Sequence, residues 1–406
     1  MVKNTESKYK WYILALAALT LVFGMVAQGA CMPVLFHEIS EDLNLSLIQI
    51  GTVWGMVGMG AIFVVMLGGL LGDRFGVKNT LSTICFLSGL AGAARGLSGS
   101  FTSLAITMFL LGLTSAMVPI IAFKPPNIWF SRQQLGVANT ILTLSVALGG
   151  TLSSMFSATV MSPLLGGWRN VVFLYGALAF ILGIPWLLTR SGPTPVEPSA
   201  SLASKVPMRQ AFSHIIRNKN VWLIALIYMG HSACSIGTKG FLALYLQGLG
   251  WTTATASGTL AVWTAASFIG AMPFTLLSNK LGSRKVIIIT TVLMTTTGVG
   301  LLSVVTGPMV WVAVIIAGLA WEGYMASNFT MIMETEGVGV KYTGTALGLM
   351  WTLGRLGSII SPPIGNSLAT INPSLAFIFW SALAVVPLLC SIHFLKETGW
   401  RAIKVS

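Results

Sequence analysis

The chain has 406 residues, of which 55% are hydrophobic and only 8% are charged, with 23 Lys and Arg against 10 Asp and Glu for a formal charge of +13. Soluble globular proteins carry about 25% charged residues, so this composition excludes a soluble fold and predicts an integral membrane protein in a lipid bilayer. The basic residues lie in short gaps between apolar runs rather than on a wettable face, which argues against nucleic-acid binding.

Twelve segments are long and apolar enough to cross a bilayer, since a spanning helix needs about 20 mostly apolar residues. Cutting at Gly, Pro and charge clusters places these spans approximately at residues 11–34, 47–70, 78–97, 102–123, 135–160, 169–190, 220–247, 254–277, 285–305, 308–333, 343–369 and 373–395. The predicted fold class is all-α and integral to the membrane, with twelve transmembrane helices in two pseudo-symmetric six-helix bundles.

The predicted bundles are residues 1–190 and 220–406, joined by a cytoplasmic linker over residues 191–219. The linker is rich in Pro and Ser and then becomes basic, with a short amphipathic helix predicted near Met208–Arg217.

With the N-terminus inside, all but four of the 23 Lys and Arg residues fall on the inner side. The positive-inside rule therefore predicts cytoplasmic termini in a multi-pass protein of the inner or plasma membrane.

Spans one and three contain the first polar side chains at membrane depth. Gln28 lies in span one near Gly24 and Pro33, which make that helix bendable, and it falls on Ser235 when the second half is shifted back by 207 residues. We predict that Gln28 hydrogen-bonds to substrate. Arg95, at the outer end of span three, is predicted to snorkel to the membrane surface.

The loop after span two, GGLLGDRFGVKNTL, matches the loop after span eight, SNKLGSRKVII, when the second half is shifted back by about 206 residues. Two helical halves with matched loops are typical of transporters built from repeats. The first loop also resembles the signature G-x-L-a-D-r-x-G-r-k-x-x-l of the major facilitator superfamily, with Val77 as a departure. The residues that carry the resemblance are Gly69, Leu71, Asp73, Arg74, Gly76, Lys78 and Leu81.

The resemblance covers the whole chain and implies a secondary transporter that works by alternating access. It leaves the subfamily open, with an organic-anion or monocarboxylate carrier and a cyanate-permease-like member as candidates. It also implies a conformational latch at this loop, in which Gly76 permits a tight turn with positive φ. The latch residues are Gly69, Asp73, Arg74, Gly76 and Lys78. The alternative is a loop that merely obeys the positive-inside rule.

Span seven places His231, Ser235 and Lys239 at i, i+4 and i+8, which lie on nearly the same face of a helix. Lys239 is predicted to contact an anionic substrate, with snorkelling to the outer surface as the alternative. His231 and Ser235 are further candidates for substrate contacts. A lone helical His also serves as a packing residue, so a structural role for His231 stays open.

Spans ten and eleven each carry one ionisable residue near mid-membrane, and such residues are functional candidates because they are costly there. Arg355 is predicted to hold an anionic group, and Glu322 is predicted to bind substrate and to take up a proton. In the superfamily these helices are neighbours, so the two side chains should pair or compete for a ligand; a permanent ion pair is the alternative. Trp351, four residues before Arg355 on the same face, is predicted to form a wall of the site or a cation–π platform for Arg355. Tyr324 and Asn328 complete the predicted substrate site.

The four cysteines lie within apolar runs without the spacing of a metal or redox site, and no phosphate-binding loop is present. We therefore predict no cofactor, no metal and no enzyme activity. The predicted function is secondary active transport of a small carboxylate or other anion by a monomer, in symport with protons. The alternatives are proton-driven efflux of drug-like compounds, which 19 Met and 13 Trp would suit, and a membrane sensor that does not transport.

Overall fold

The computed structural model describes residues 2–131, 133–190 and 208–399. Within these ranges, the side chains of residues 2–7, 65–74, 208, 209 and 340 are outside the description. Every regular element of the described residues is a helix, which confirms the predicted all-α class.

The first six spans precede the predicted linker. Span one is a long helix in three consecutive parts, with a wider π-helical turn at Val22–Val26 between Val2–Leu21 and Ala27–Leu43. The remaining five are Leu47–Phe75, Val77–Ala94, Phe101–Ser115 continued by Met117–Ala122, Leu135–Phe156 continued by Ser157–Met161 and Ser162–Leu165, and Trp168–Leu188. Two short helices, Arg95–Leu97 and Pro125–Trp129, follow spans three and four.

The second six spans follow a short helix at Met208–Ile215, which confirms the helix predicted in the linker. Spans seven to twelve are Lys219–Gly248, Thr253–Leu281, Arg284–Leu301, Met309–Glu334, Gly339–Ala369 and Pro373–Ser391. Among the described residues, eleven helices are long and apolar enough to cross a membrane. The predicted span that falls outside this group is span eleven, which has 31 residues but contains Arg355, two prolines and several glycines, and is therefore less apolar.

Two glycines end corresponding helices in the two halves. Gly76 follows span two with φ of 79°, and Gly282 follows span eight with φ of 63°. Both angles lie in the left-handed region that glycine adopts without steric penalty. The positive φ predicted for Gly76 is confirmed, and the match under the shift of 206 residues extends from the sequence to the backbone.

Contacts divide the chain into two compact units, the first formed by Met1–Val196 with Leu246–Ala261 and the second by Glu197–Tyr245 with Val262–Ser406. Each unit contains a close helix crossing at a glycine. A Cβ on Gly112 would lie 2.2 Å from the Val57 carbonyl oxygen, and a Cβ on Gly318 would lie 2.7 Å from the Trp263 carbonyl oxygen. These pairs are also related by 206 residues, so the internal repeat includes the packing of its helices.

Candidate functional site

The predicted substrate residues of the second unit lie around an aromatic cluster, which consists of Tyr228, His231, Trp263, Trp321 and Tyr324. The His231 ring stacks on Tyr324 with ring centroids 4.0 Å apart and on Trp321 at 5.2 Å. Tyr228 lies parallel to Tyr324 at 6.4 Å. Spans seven and ten supply four of these rings, since residues three or four apart in a helix share one face. The stacking holds the Trp321 ring, over which Lys239 lies, in place.

Lys239 lies over two tryptophan rings of this cluster. Its Nζ is 5.1 Å from the centroid of the Trp321 ring and 5.4 Å from that of Trp263. An ammonium group at this distance from an aromatic face is attracted by the ring quadrupole. Among the described residues, Lys239 has no carboxylate within 4 Å. The aromatic rings therefore hold the cation while its N–H donors stay available to an anion.

Glu322 is coupled to Lys239 rather than to Arg355. The two charges of Glu322 and Lys239 act on each other electrostatically. Within the described part of the chain, no ion pair joins Glu322 to Arg355, so the permanent pair considered from the sequence is not formed. The charges of Glu322 and Arg355 both act on the Tyr228 hydroxyl, so each lies within electrostatic reach of that ring.

Arg355 is positioned by the packing of span eleven on span seven. A Cβ on the preceding Gly354 would lie 2.1 Å from Cε1 of Tyr228, so only glycine permits this approach. The guanidinium is partly buried. The Trp351 ring meets Phe329 edge to face at 5.9 Å. In the described residues it makes no cation–π contact with Arg355, so of the two predicted roles the platform is not formed and the aromatic wall stays a prediction.

Several buried polar atoms near the aromatic cluster have no hydrogen-bond partner in the described structure. They are both ring nitrogens of His231, Ser235 Oγ, Trp263 Nε1, Ser327 Oγ and Asn328 Oδ1. The amide nitrogen of Asn328 does donate to the Tyr324 hydroxyl, at 2.5 Å. A buried polar atom is normally hydrogen-bonded, because leaving it unpaired costs about 1–3 kcal/mol. The unpaired atoms are therefore available to hydroxyl groups of a ligand.

Gln28 lies in the first unit and is engaged by protein groups. Its Nε2 donates to the Phe23 carbonyl at 2.8 Å and to Ser88 Oγ at 3.2 Å, and Ser88 Oγ donates to the Gly24 carbonyl at 2.6 Å. A π-helical turn displaces backbone hydrogen bonds, and these side chains satisfy the carbonyls of the turn at Val22–Val26. The contacts indicate a structural role for Gln28, and its predicted contact with substrate stays a prediction.

Arg95 does not snorkel, contrary to the expectation from its position. The side chain is fully buried and donates to the Gln28 carbonyl at 2.7 Å, to Gln28 Oε1 at 3.4 Å and to the Gly92 carbonyl at 3.0 Å. The guanidinium points inward because the carbonyl of span one offers a hydrogen bond that hydrocarbon cannot. Arg95 thereby ties span three to span one.

Replacing Arg95 by Met is expected to lower the apparent melting temperature of the purified protein. Methionine keeps much of the side-chain volume but leaves the acceptors on Gln28 and Gly92 buried and unpaired, a loss of roughly 1–3 kcal/mol for such groups. The control is Lys280→Met, because Lys280 is exposed and its side chain makes no hydrogen bond in the described structure. Equal melting temperatures for Arg95→Met and wild type would contradict this role.

The predicted latch is described only in part. Nothing is described of the surroundings of Gly69 or of the side chains of Asp73 and Arg74, and Lys78 is partly buried at the start of span three. The corresponding loop of the second unit is described in full. There Arg284, the counterpart of Lys78, donates to Asn279 Oδ1 at 2.7 Å and forms a two-point ion pair with Glu334, both distances being 3.2 Å. The latch function of the first loop stays a prediction.

The sequence and the fold both match known membrane transporters. The family model described as the Major Facilitator Superfamily matches residues 14–362. A hexuronate transporter of Bacillus subtilis (strain 168) is 24% identical over 388 residues, which cover 88% of each chain. A second protein of that organism, named "Probable galactarate/D-glucarate transporter GudP", is 22% identical over 94% of this chain and 91% of its own.

The fold is similar to that of a solved structure of the nucleoside transporter NupG. The TM-score is 0.76, with 96% of this chain and 99% of that chain covered, at 14% sequence identity. At this identity, the similarity concerns the fold alone.

Proposed function

The chain belongs to the major facilitator superfamily, and on that premise we propose that it is a secondary transporter of sugar acids, in symport with protons. It is a membrane transporter and not an enzyme. The finer points of the proposal are the substrate class, the coupling to protons, the action as a monomer and the location in the cell membrane.

The charges of the second unit carry the proposal of an anionic substrate. Lys239 and Arg355 are two cations at predicted membrane depth, and neither has a carboxylate within 4 Å in the described residues. Glu322 is the acid near them, and its charge is coupled to Lys239. A buried excess of positive charge is unfavourable unless an anion binds, so the site favours a carboxylate.

The unpaired polar atoms favour a carboxylate that also carries hydroxyl groups. His231, Ser235, Ser327 and Asn328 offer both donors and acceptors close to the aromatic cluster. The relatives from Bacillus subtilis are named for hexuronate and for galactarate or D-glucarate. These solutes are polyhydroxylated carboxylates, and this chemistry matches the donors, acceptors and cations of the site.

Glu322 supports coupling to protons through its interaction with Lys239. A bound carboxylate and an ionised Glu322 would compete for the same ammonium group. Binding of the substrate anion is therefore favoured when Glu322 carries a proton, because two anions close together repel each other. Substrate and proton would then cross the membrane together.

Ligand-dependent stability of the purified protein tests the substrate class. D-glucuronate and galactarate are expected to raise the apparent melting temperature, because a ligand at 100 times its Kd stabilises the folded state by about 2.7 kcal/mol. D-glucose is the matched control, since it has the hydroxyl groups without the carboxylate. A rise with glucose as large as that with glucuronate, or a rise with neither acid, would contradict a sugar-acid site.

A further inference from the structure

A cavity of about 540 Å³ lies in the second unit, away from the aromatic cluster. It is located where span seven begins, where span ten ends and where the chain leaves span twelve, on the predicted cytoplasmic side. Its charged lining consists of Arg217, Lys219, Lys396, Glu334, Glu336 and Glu397. From these helix ends, the cavity is predicted to lie at the depth at which helices leave the membrane and lipid headgroups meet water.

Two of the three acids are already engaged by the protein. Glu334 accepts two hydrogen bonds from Arg284 at 3.2 Å and one from Thr398 Oγ1 at 3.2 Å. Glu397 accepts hydrogen bonds from Ser283 Oγ and from the backbone N–H groups of Arg284, Thr398 and Gly399. Burial tends to raise the pKa of Glu397, but these hydrogen bonds outweigh it and hold the pKa below its usual range. Neither acid is available to neutralise the cations of the cavity.

The three cations, in contrast, have no partner among the described residues. In the part of the chain that the structure describes, the side chains of Arg217, Lys219 and Lys396 make no hydrogen bond and have no carboxylate within 4 Å. Glu336 is the acid of the lining whose carboxylate is likewise without a partner there. The cavity thus presents more free positive than free negative charge.

Backbone and side-chain hydrogen bonds hold the walls of the cavity in place. Asn220 Nδ2 donates to Thr335 Oγ1 at 3.2 Å, and Asn220 Oδ1 accepts from the Lys396 backbone N–H at 3.0 Å. Asn218 Nδ2 donates to the Glu336 carbonyl at 2.8 Å. The three chain segments that line the cavity, two of which carry the cations, are therefore tied together, and a ligand finds the cations already in position.

We propose that this cavity binds a phosphate group, carried by an anionic phospholipid or by a soluble phosphate compound. Charge-assisted hydrogen bonds from Lys and Arg suit phosphate oxygens. Basic pockets between helices on the cytoplasmic side bind anionic lipid headgroups. A volume of about 540 Å³ lies within the roughly 300–1,000 Å³ typical of small-ligand sites, so a headgroup fits.

Thermal unfolding of the purified full-length protein tests the proposal without any transport assay. One arm adds phosphatidylglycerol to the detergent micelles, with phosphatidylcholine as the control lipid. The other arm adds inorganic phosphate, with chloride at equal ionic strength as the control. The apparent melting temperature is expected to rise in at least one arm, and the arm that responds identifies lipid or soluble phosphate as the source.

Charge variants assign any rise in melting temperature to the cavity. The triple variant Arg217→Gln, Lys219→Gln, Lys396→Gln is expected to lose the rise. The control Lys8→Gln, Lys280→Gln, Lys341→Gln removes the same charge elsewhere and is expected to keep it. Glu336→Gln is expected to enlarge the rise, a gain that a folding defect cannot imitate. No rise in either arm, a full rise in the first triple variant, or a loss in the control would overturn the proposal.

Discussion

Lys239→Gln is expected to lower the kcat/KM for D-glucuronate uptake by about 100-fold, or about 2.7 kcal/mol, while the protein remains folded. Losing one partner of a desolvated, charge-assisted contact typically costs 2–5 kcal/mol. Lys239 is held over Trp263 and Trp321 with no carboxylate within 4 Å in the described residues. Its charge is therefore available to the proposed substrate anion, with Glu322 as the acid that acts on it from a longer distance. Uptake into proteoliposomes measures the loss of kcat/KM, and the size-exclusion elution profile of the variant shows whether it remains folded.

Two further variants test whether the effect depends on the positive charge and on its location. Lys239→Arg keeps the positive charge and the contact with the tryptophan rings, and it should retain more activity than Lys239→Gln. Lys280→Gln removes a lysine at the end of span eight, outside the aromatic cluster, and should transport at the wild-type rate. Wild-type uptake by Lys239→Gln would rule out the assignment of Lys239 as a substrate ligand.

Glu322→Gln is expected to abolish concentrative uptake driven by a pH gradient while leaving exchange of substrate for substrate. Glutamine resembles the protonated carboxyl in size and charge, so the variant should bind the substrate anion but release no proton. The ratio of internal to external D-glucuronate under an imposed pH gradient should then fall to about one. Counterflow, in which unlabelled internal substrate drives the entry of labelled substrate, should continue.

The matched control for Glu322→Gln is Glu334→Gln. Glu334 is an acid of the same span, but it pairs with Arg284 at the predicted cytoplasmic end. This variant should still concentrate the substrate under a pH gradient. If Glu322→Gln concentrated the substrate as well as wild type does, Glu322 could not be the proton carrier.

The sequence predicted the helical architecture well because transmembrane helices follow from length and hydropathy. Eleven predicted spans meet these criteria directly. Span eleven was found by its length, although Arg355 and its Pro pair make it less apolar. The turn at Gly76 was also predictable, since the positive φ there is a local steric property.

The candidate site was only partly predictable, because helical spacing shows which residues share a face but not which helices face each other. The helix face that carries His231, Ser235 and Lys239 was found in this way. Trp263 was missed because a tryptophan in an apolar span gives no signal. Tyr228 lies three residues before His231 and could have been found by following the same helix face toward the start of span seven.

The partner of each buried charge could not be predicted either. Glu322 and Arg355 have similar depths in neighbouring helices, yet Glu322 is coupled to Lys239 of span seven. Arg95 was expected at the membrane surface, but the Gln28 carbonyl draws it inward. Both outcomes depend on the directions in which side chains point. The position of Arg95 also depends on the π-helical turn of span one. Neither property can be read from the spacing of residues in the sequence.

Uptake of labelled D-glucuronate into proteoliposomes that contain the purified wild-type protein tests the proposed function most directly. With an acidic exterior, the label is expected to accumulate above its external concentration, to be displaced by galactarate and not by glucose, and to equilibrate when a protonophore is added. Entry of glucose at the same rate as glucuronate, or no entry of any sugar acid, would contradict transport of a sugar acid through the site at Lys239 and Arg355.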